Sequence, residues 1–224
     1  MLPKTKLAIA GIVICLSLIV WDQIRRHSQA QNGEEAARSS ETEALSAGME
    51  SAEWKEFRPA NGKFQVLFPS LPQHASEAVP LPSGQGLITY DMYLSQEKNG
   101  ATFMVSVIQY PKDFATDNPN ELLSSVMKEM MSGNLNNKLK DSKQGQFQEF
   151  PSLDFMIENN DVLIKCRTFL KQKMLIVLTV IDRGSHNIDE LFTKFTDSFK
   201  MLADMPSNAD MPSNEVPARA QSNK

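Results

Sequence analysis

Met174-Leu-Ile-Val-Leu-Thr-Val-Ile-Asp182 is apolar at seven of nine positions and lacks the polar–apolar alternation of a half-exposed strand. A strand of this kind has to be buried on both faces, which predicts a central place in a sheet with cover above and below. The next stretch supplies one cover. Ile188, Leu191, Phe192, Phe195, Phe199 and Leu202 fall at helical spacing behind an Asn187 cap, with Glu190 three residues on. Upstream, Val162–Leu170 reads as a strand between an Asn159-Asn160-Asp161 turn and a Lys171-Gln-Lys173 turn. Before it, Gln146–Phe150 and Leu153–Glu158 read as strand segments broken by Pro151.

The other cover is predicted between Asn118 and Gly133. Asn118-Pro119-Asn120-Glu121 has the cap and first-turn proline of a helix start, and Gly133 stops it. Leu122, Leu123, Val126, Met127, Met130 and Met131 share one wide apolar face. That face fits core packing against a sheet, and its methionines also suit an adaptable groove. Further upstream are two hairpins. Trp54–Arg58 and Lys63–Phe68 flank Pro59-Ala-Asn-Gly62, and Leu87–Ser95 and Ala101–Tyr110 flank Lys98-Asn99-Gly100. Residues 73–86 read as a Pro/Ser/Gly loop. Hairpins, helix, hairpins, helix predict an α+β fold, a mainly antiparallel sheet covered by helices.

Phe57-Arg-Pro-Ala-Asn-Gly-Lys-Phe-Gln-Val-Leu-Phe-Pro-Ser-Leu-Pro72 resembles the opening hairpin of the PsbP-like fold group, and the closing helix with Asp197-Ser198-Phe199-Lys200 resembles its ending. The resemblance covers about residues 53–202 and implies an α/β/α sandwich. The group includes an extrinsic subunit of photosystem II, a nuclear-import factor that binds the GTPase Ran, and the periplasmic lipoprotein DcrB. These motifs mark a fold and carry over no functional residue.

Around that globular segment the chain changes character. Lys4 and Lys6 precede an apolar run from Leu7 to Trp21, the layout of a signal anchor or signal peptide, here an amino-terminal apolar helix. Fifteen helical residues span about 23 Å, short of a hydrocarbon core of roughly 30 Å. Trp21 at the interface and a snorkelling Lys6 make up the difference. Cleavage near Ala30, releasing a secreted form, is the alternative; it would lie beyond Arg25 and Arg26, farther and more charged than usual. Ile14 before Cys15 breaks a lipobox. Residues 22–52 carry six acids, three Arg and no aromatic after Asp22, which predicts a flexible linker. Residues 203–224 repeat Ala-Asp-Met-Pro-Ser-Asn and read as a disordered tail.

The formal charge of −4 over 224 residues argues against a nucleic-acid binder with a basic face. Two cysteines and three histidines (His27, His74 and His186) in no ligand motif predict no metal centre and no cofactor. No phosphate-binding glycine loop, nucleophile elbow or zinc helix motif occurs. Cys166 alternates with Val162, Ile164 and Leu170 and reads as a small buried hydrophobe, so no catalytic residue is assigned. Asp91, Glu158 and Asp182 lie on strands or at their ends, with nothing in the spacing to pair them. One charge group stands out: Lys138, Lys140 and Lys143, with Lys171 and Lys173 in a later turn. If these loops meet, they suit an anionic headgroup or acidic partner.

The expectation is therefore a non-enzymatic interaction or assembly domain of a bacterial-type envelope protein, with an unidentified protein partner. Its membrane contact runs through residues 7–21, in a single pass with the globular part on the periplasmic side. The alternative is a small-ligand or lipid-binding domain whose pocket between sheet and helix is lined by Met127, Met130 and Met131. A hydrolase with dispersed carboxylates or Cys166 is a third, weaker reading.

Overall fold

The computed structural model describes residues 53–81, 86–97, 100–183 and 187–202. The expected anchor from Leu7 to Trp21, the expected linker and tail, and His186 lie outside them. The elements are β1 (Lys55–Phe57), β2 (Phe64–Phe68), β3 (Gln73–Pro80), β4 (Leu87–Gln96), β5 (Thr102–Gln109), α1 (Pro119–Ser132), β6 (Asn137–Phe147), β7 (Phe150–Asn159), β8 (Val162–Lys171), β9 (Met174–Asp182), α2 (Ile188–Ser198) and β10 (Lys200–Met201).

A seven-stranded antiparallel sheet runs β3-β4-β5-β9-β8-β7-β6. β9 is the middle strand, as its two-sided apolar composition requires. Its side chains divide by parity: Ile176, Leu178 and Val180 enter one core, while Leu175 and Val177 enter the other. The first core lies under α2 and a small sheet, β1-β2-β10, whose middle strand points Phe64, Val66 and Phe68 inward. Phe64 stacks on Phe199 at 5.3 Å, and Phe195 meets Phe68 and Phe103 at 5.5 and 5.4 Å. Each fully buried Phe is worth about 1.5–3 kcal/mol of transfer free energy, so this ring cluster anchors the small sheet. The second core lies under α1, with Leu123 and Val126 against Leu153, Phe155, Ile157, Cys166 and Leu170.

Both expected hairpins form, with Gly62 (φ 64°) and Gly100 (φ 101°) taking the left-handed conformations their turns need. Four local expectations are corrected. Residues 73–80 are a strand, not a loop; β3 pairs with β4 along its whole length, and only Ala75 and Val79 are half-buried. An exposed edge strand of small and polar residues leaves little hydrophobic pattern to read. The turn between β6 and β7 falls at Gln148-Glu149, both with positive φ, rather than at Pro151. Pro151 is tolerated inside β7 because pairing with β8 begins only at Ser152. α2 ends at Ser198, and Phe199 turns to extended backbone (φ −73°, ψ 132°), so that β10 can return to β2. Asn187 caps α2 through its backbone carbonyl alone, whereas the Asn118 side chain accepts the Glu121 N–H at 3.2 Å.

Candidate functional site

The five lysines singled out in the sequence do not share one loop cluster. Lys138, Lys140 and Lys143 lie on β6, an edge strand whose eleven residues are nearly all exposed. This is a further correction, since the segment read as a loop. Lys140 binds Glu158 at 3.0 Å from a bulge between Leu139 and Asp141. Lys138 stands opposite Glu158, and Lys143 opposite Asp154. Lys171 closes β8 at the other end of the sheet. Arg167, four residues earlier on the same strand, shares a row with Asp154 and Lys143, which puts Lys171 about 13 Å further along. Lys173 turns away from all of them, donating to the Phe114 carbonyl at 2.6 Å and the Thr116 hydroxyl at 3.0 Å.

What the fold assembles is a charged sheet face beside α2. β8 leaves the core there, so Lys165 and Arg167 share a face with Leu163 and Phe169. Arg167 holds Asp154 through two hydrogen bonds, 2.8 Å from Nε and 2.7 Å from an Nη, in the fork geometry of a guanidinium–carboxylate pair. Its guanidinium lies over Phe147 at 4.7 Å and Phe192 at 5.5 Å. Lys165 binds Asp189 of α2 and lies 5.0 Å from the Phe192 ring centre. With Lys140–Glu158 and the flank of β6, which pairs with no strand among the described residues, this makes a partly exposed surface of alternating charge. The sequence signal existed: two basic residues at period two inside an apolar strand. It passes unnoticed without knowing that α2 stops short of the sheet edge.

Among the described residues, those considered for catalysis stay apart. Cys166 is fully buried between Met130 Sδ at 4.0 Å and Thr179 Oγ1 at 3.6 Å, and burial pushes its thiol pKa up to about 12, with the Thr179 hydrogen bond opposing and Asp154 adding to the rise. Asp91 accepts from His74 Nε2 at 3.0 Å on the opposite flank of the sheet, where His74 stacks on Tyr93 at 4.4 Å. Burial, and then the Asp91 charge, push the Tyr93 phenol up to about 12. Asp91 and Glu158 are four strands apart, about 19 Å across the sheet. Asp182 is buried on β9, two strands from Glu158. Met127, Met130 and Met131 pack against the second core, where α1 meets the sheet. Among the described residues, no group of three His, Cys, Asp or Glu could hold a metal ion, and no helix is long and apolar enough to cross a membrane.

No family model and no curated protein matches the chain. Among solved structures it is similar to the solution structure of cyanobacterial PsbP (CyanoP) from Synechocystis sp. PCC 6803, at 11% identity and a TM-score of 0.45. That likeness covers 71% of this chain and 98% of the other. It carries over no ligand, partner or activity.

Proposed function

We propose that this chain is a non-enzymatic interaction or assembly domain of a bacterial-type envelope protein, tethered to the membrane by residues 7–21 with its globular part on the periplasmic side. The observation that supports this reading is the dispersal of reactive groups. Cys166 is sealed in the core, His74 is satisfied by Asp91, and Asp154 and Glu158 are each held by a basic partner on the far side of the sheet. General acid–base or nucleophilic chemistry needs such groups to converge on one reacting atom. Exposed, polar, self-satisfied sheet surface suits recognition instead. The small-ligand alternative loses ground because Leu123, Val126 and the α1 methionines occupy the space between helix and sheet.

The test has two parts. Protease added to spheroplasts should degrade the globular part while the inner membrane is intact. Tagged full-length protein, solubilised in detergent, should retain a specific protein that is lost when Lys140, Asp154 and Arg167 are replaced together by Ser. A chain protected from protease defeats the proposed topology. A preparation carrying a stoichiometric lipid or metabolite and no protein replaces the interaction reading with ligand binding.

A further inference from the structure

The described chain arrives and leaves at opposite ends of the sheet. It arrives at Trp54, whose Nε1 donates to Glu97 at 3.2 Å and whose ring meets Phe103 edge-on at 4.7 Å. Lys55 then pairs with Phe68, two residues before Ser70. At the other end, the Leu202 N–H donates to the Lys63 carbonyl, and Lys63 Nζ reaches Gln109 at the close of β5.

Beside the point of arrival stands Leu71, 85% exposed, in Pro69-Ser-Leu-Pro72. Its carrier is clamped. The Ser70 N–H donates to Ser95 Oγ at 3.2 Å, Ser95 Oγ donates to the Ser70 carbonyl at 3.0 Å, and the two hydroxyls are 2.9 Å apart, with Ser95 itself buried. Ser70 Oγ also reaches the Gln96 carbonyl, next to the glutamate that holds Trp54. Prolines on both sides fix φ. An apolar side chain on so rigid a carrier loses little conformational entropy on docking.

We propose that Leu71 and its proline-framed turn rest on the lipid surface to which the chain is tethered, setting this end of the sheet against the membrane. The inference rests on the tether reading above. One leucine would not recruit a free protein to a bilayer, but a tether makes docking intramolecular, so a weak contact suffices. The neighbouring charges are mixed, with Lys55 and Lys194 beside Glu97 (Lys194 lies 4.3 Å over the Trp54 ring), which makes the contact apolar in origin. Leu135 is also fully exposed at this sheet end, but it lies by β6, six strands away from β3. Leu87, 55% exposed, marks the far end of β4 and serves as the control.

The experiment uses the full chain with Cys15→Ala, reconstituted in phosphatidylcholine–phosphatidylglycerol vesicles with acyl-chain quenchers; Cys166 is fully buried and stays unlabelled. An environment-sensitive fluorophore is attached at Leu71→Cys or at Leu87→Cys. The expected result is quenching at position 71 at least about threefold stronger than at 87, unchanged in about 0.5 M salt. Equal quenching at the two positions in protein that floats with the vesicles overturns the docking and leaves the tether standing. Quenching at 71 that salt abolishes also overturns it, because the contact would then be ionic. Protein that fails to float at all defeats the tether and the docking together.

Discussion

Arg167 and Asp154 are partly buried, and their forked pair is braced by the Phe147 ring beneath the guanidinium. Removing the arginine strands a carboxylate on a half-dry sheet face. Arg167→Ala should therefore cost about 1–2 kcal/mol, read as a lower urea midpoint, after allowing for solvent screening at this exposure. Arg167→Lys should recover less than half of the loss, because an ammonium cannot make the fork or lie flat on Phe147. Cys166 and two tyrosines contribute to the alkaline limit. Burial raises Cys166 from 9.0 to about 12 and Tyr93 from 10.0 to about 12, and it raises Tyr110 as well. All three are neutral in the fold and ionise more readily once unfolded, so the stability they contribute is full below about pH 9 and declines as pH rises towards 12. The urea midpoint should fall across that window, and a maleimide should leave Cys166 unmodified at pH 8 until denaturant is added.

At the scale of the element, the two helix starts look alike in sequence and differ in the fold. Asn118 offers its side chain to the Glu121 N–H, while Asn187 makes no side-chain cap. Asn118→Ala should cost about 1 kcal/mol and Asn187→Ala about half of that or less, compared by thermal melts. The difference could not be read from Asn-x-x-Glu spacing, because it depends on one side-chain rotamer at each cap. The sheet edges differ in the same unreadable way. β6 carries three lysines and a bulge, devices that keep an exposed edge from pairing with another copy. Changing Lys138, Lys140 and Lys143 to Thr should raise self-association, detected by sedimentation velocity. An unchanged sedimentation coefficient would show that the bulge alone protects the edge.

For the whole molecule, the last few described residues close the fold. Phe199 packs on Phe64 and Phe169, and β10 completes the small sheet. A chain ended after Ser198 should lose more than about 3 kcal/mol through the missing Phe199, whereas one ended after Leu202 should match the full chain in urea midpoint. Those two outcomes separate a helix that merely covers the sheet from a carboxy-terminal segment that ties two sheets together.

Much of this architecture was legible beforehand because burial writes periodicity into the chain. A strand buried on both faces has to be apolar throughout, which placed β9 at the centre, and a covering helix has to repeat its apolar residues at helical spacing, which found α1 and α2. Edge strands bury little and carry no such period, so β3 and most of β6 passed for loops until their hydrogen-bonded partners were in place. The charged surface was illegible for a related reason. Lys138, Lys140 and Lys143 were visible as a group, but their distance from Lys171 and Lys173 is set by strand register, and the Arg167–Asp154 pair exists only because β7 and β8 lie side by side. Hydrophobic pattern is local and sequence alone determines it; which polar groups meet across strands is a long-range consequence of pairing, and tertiary structure alone decides it.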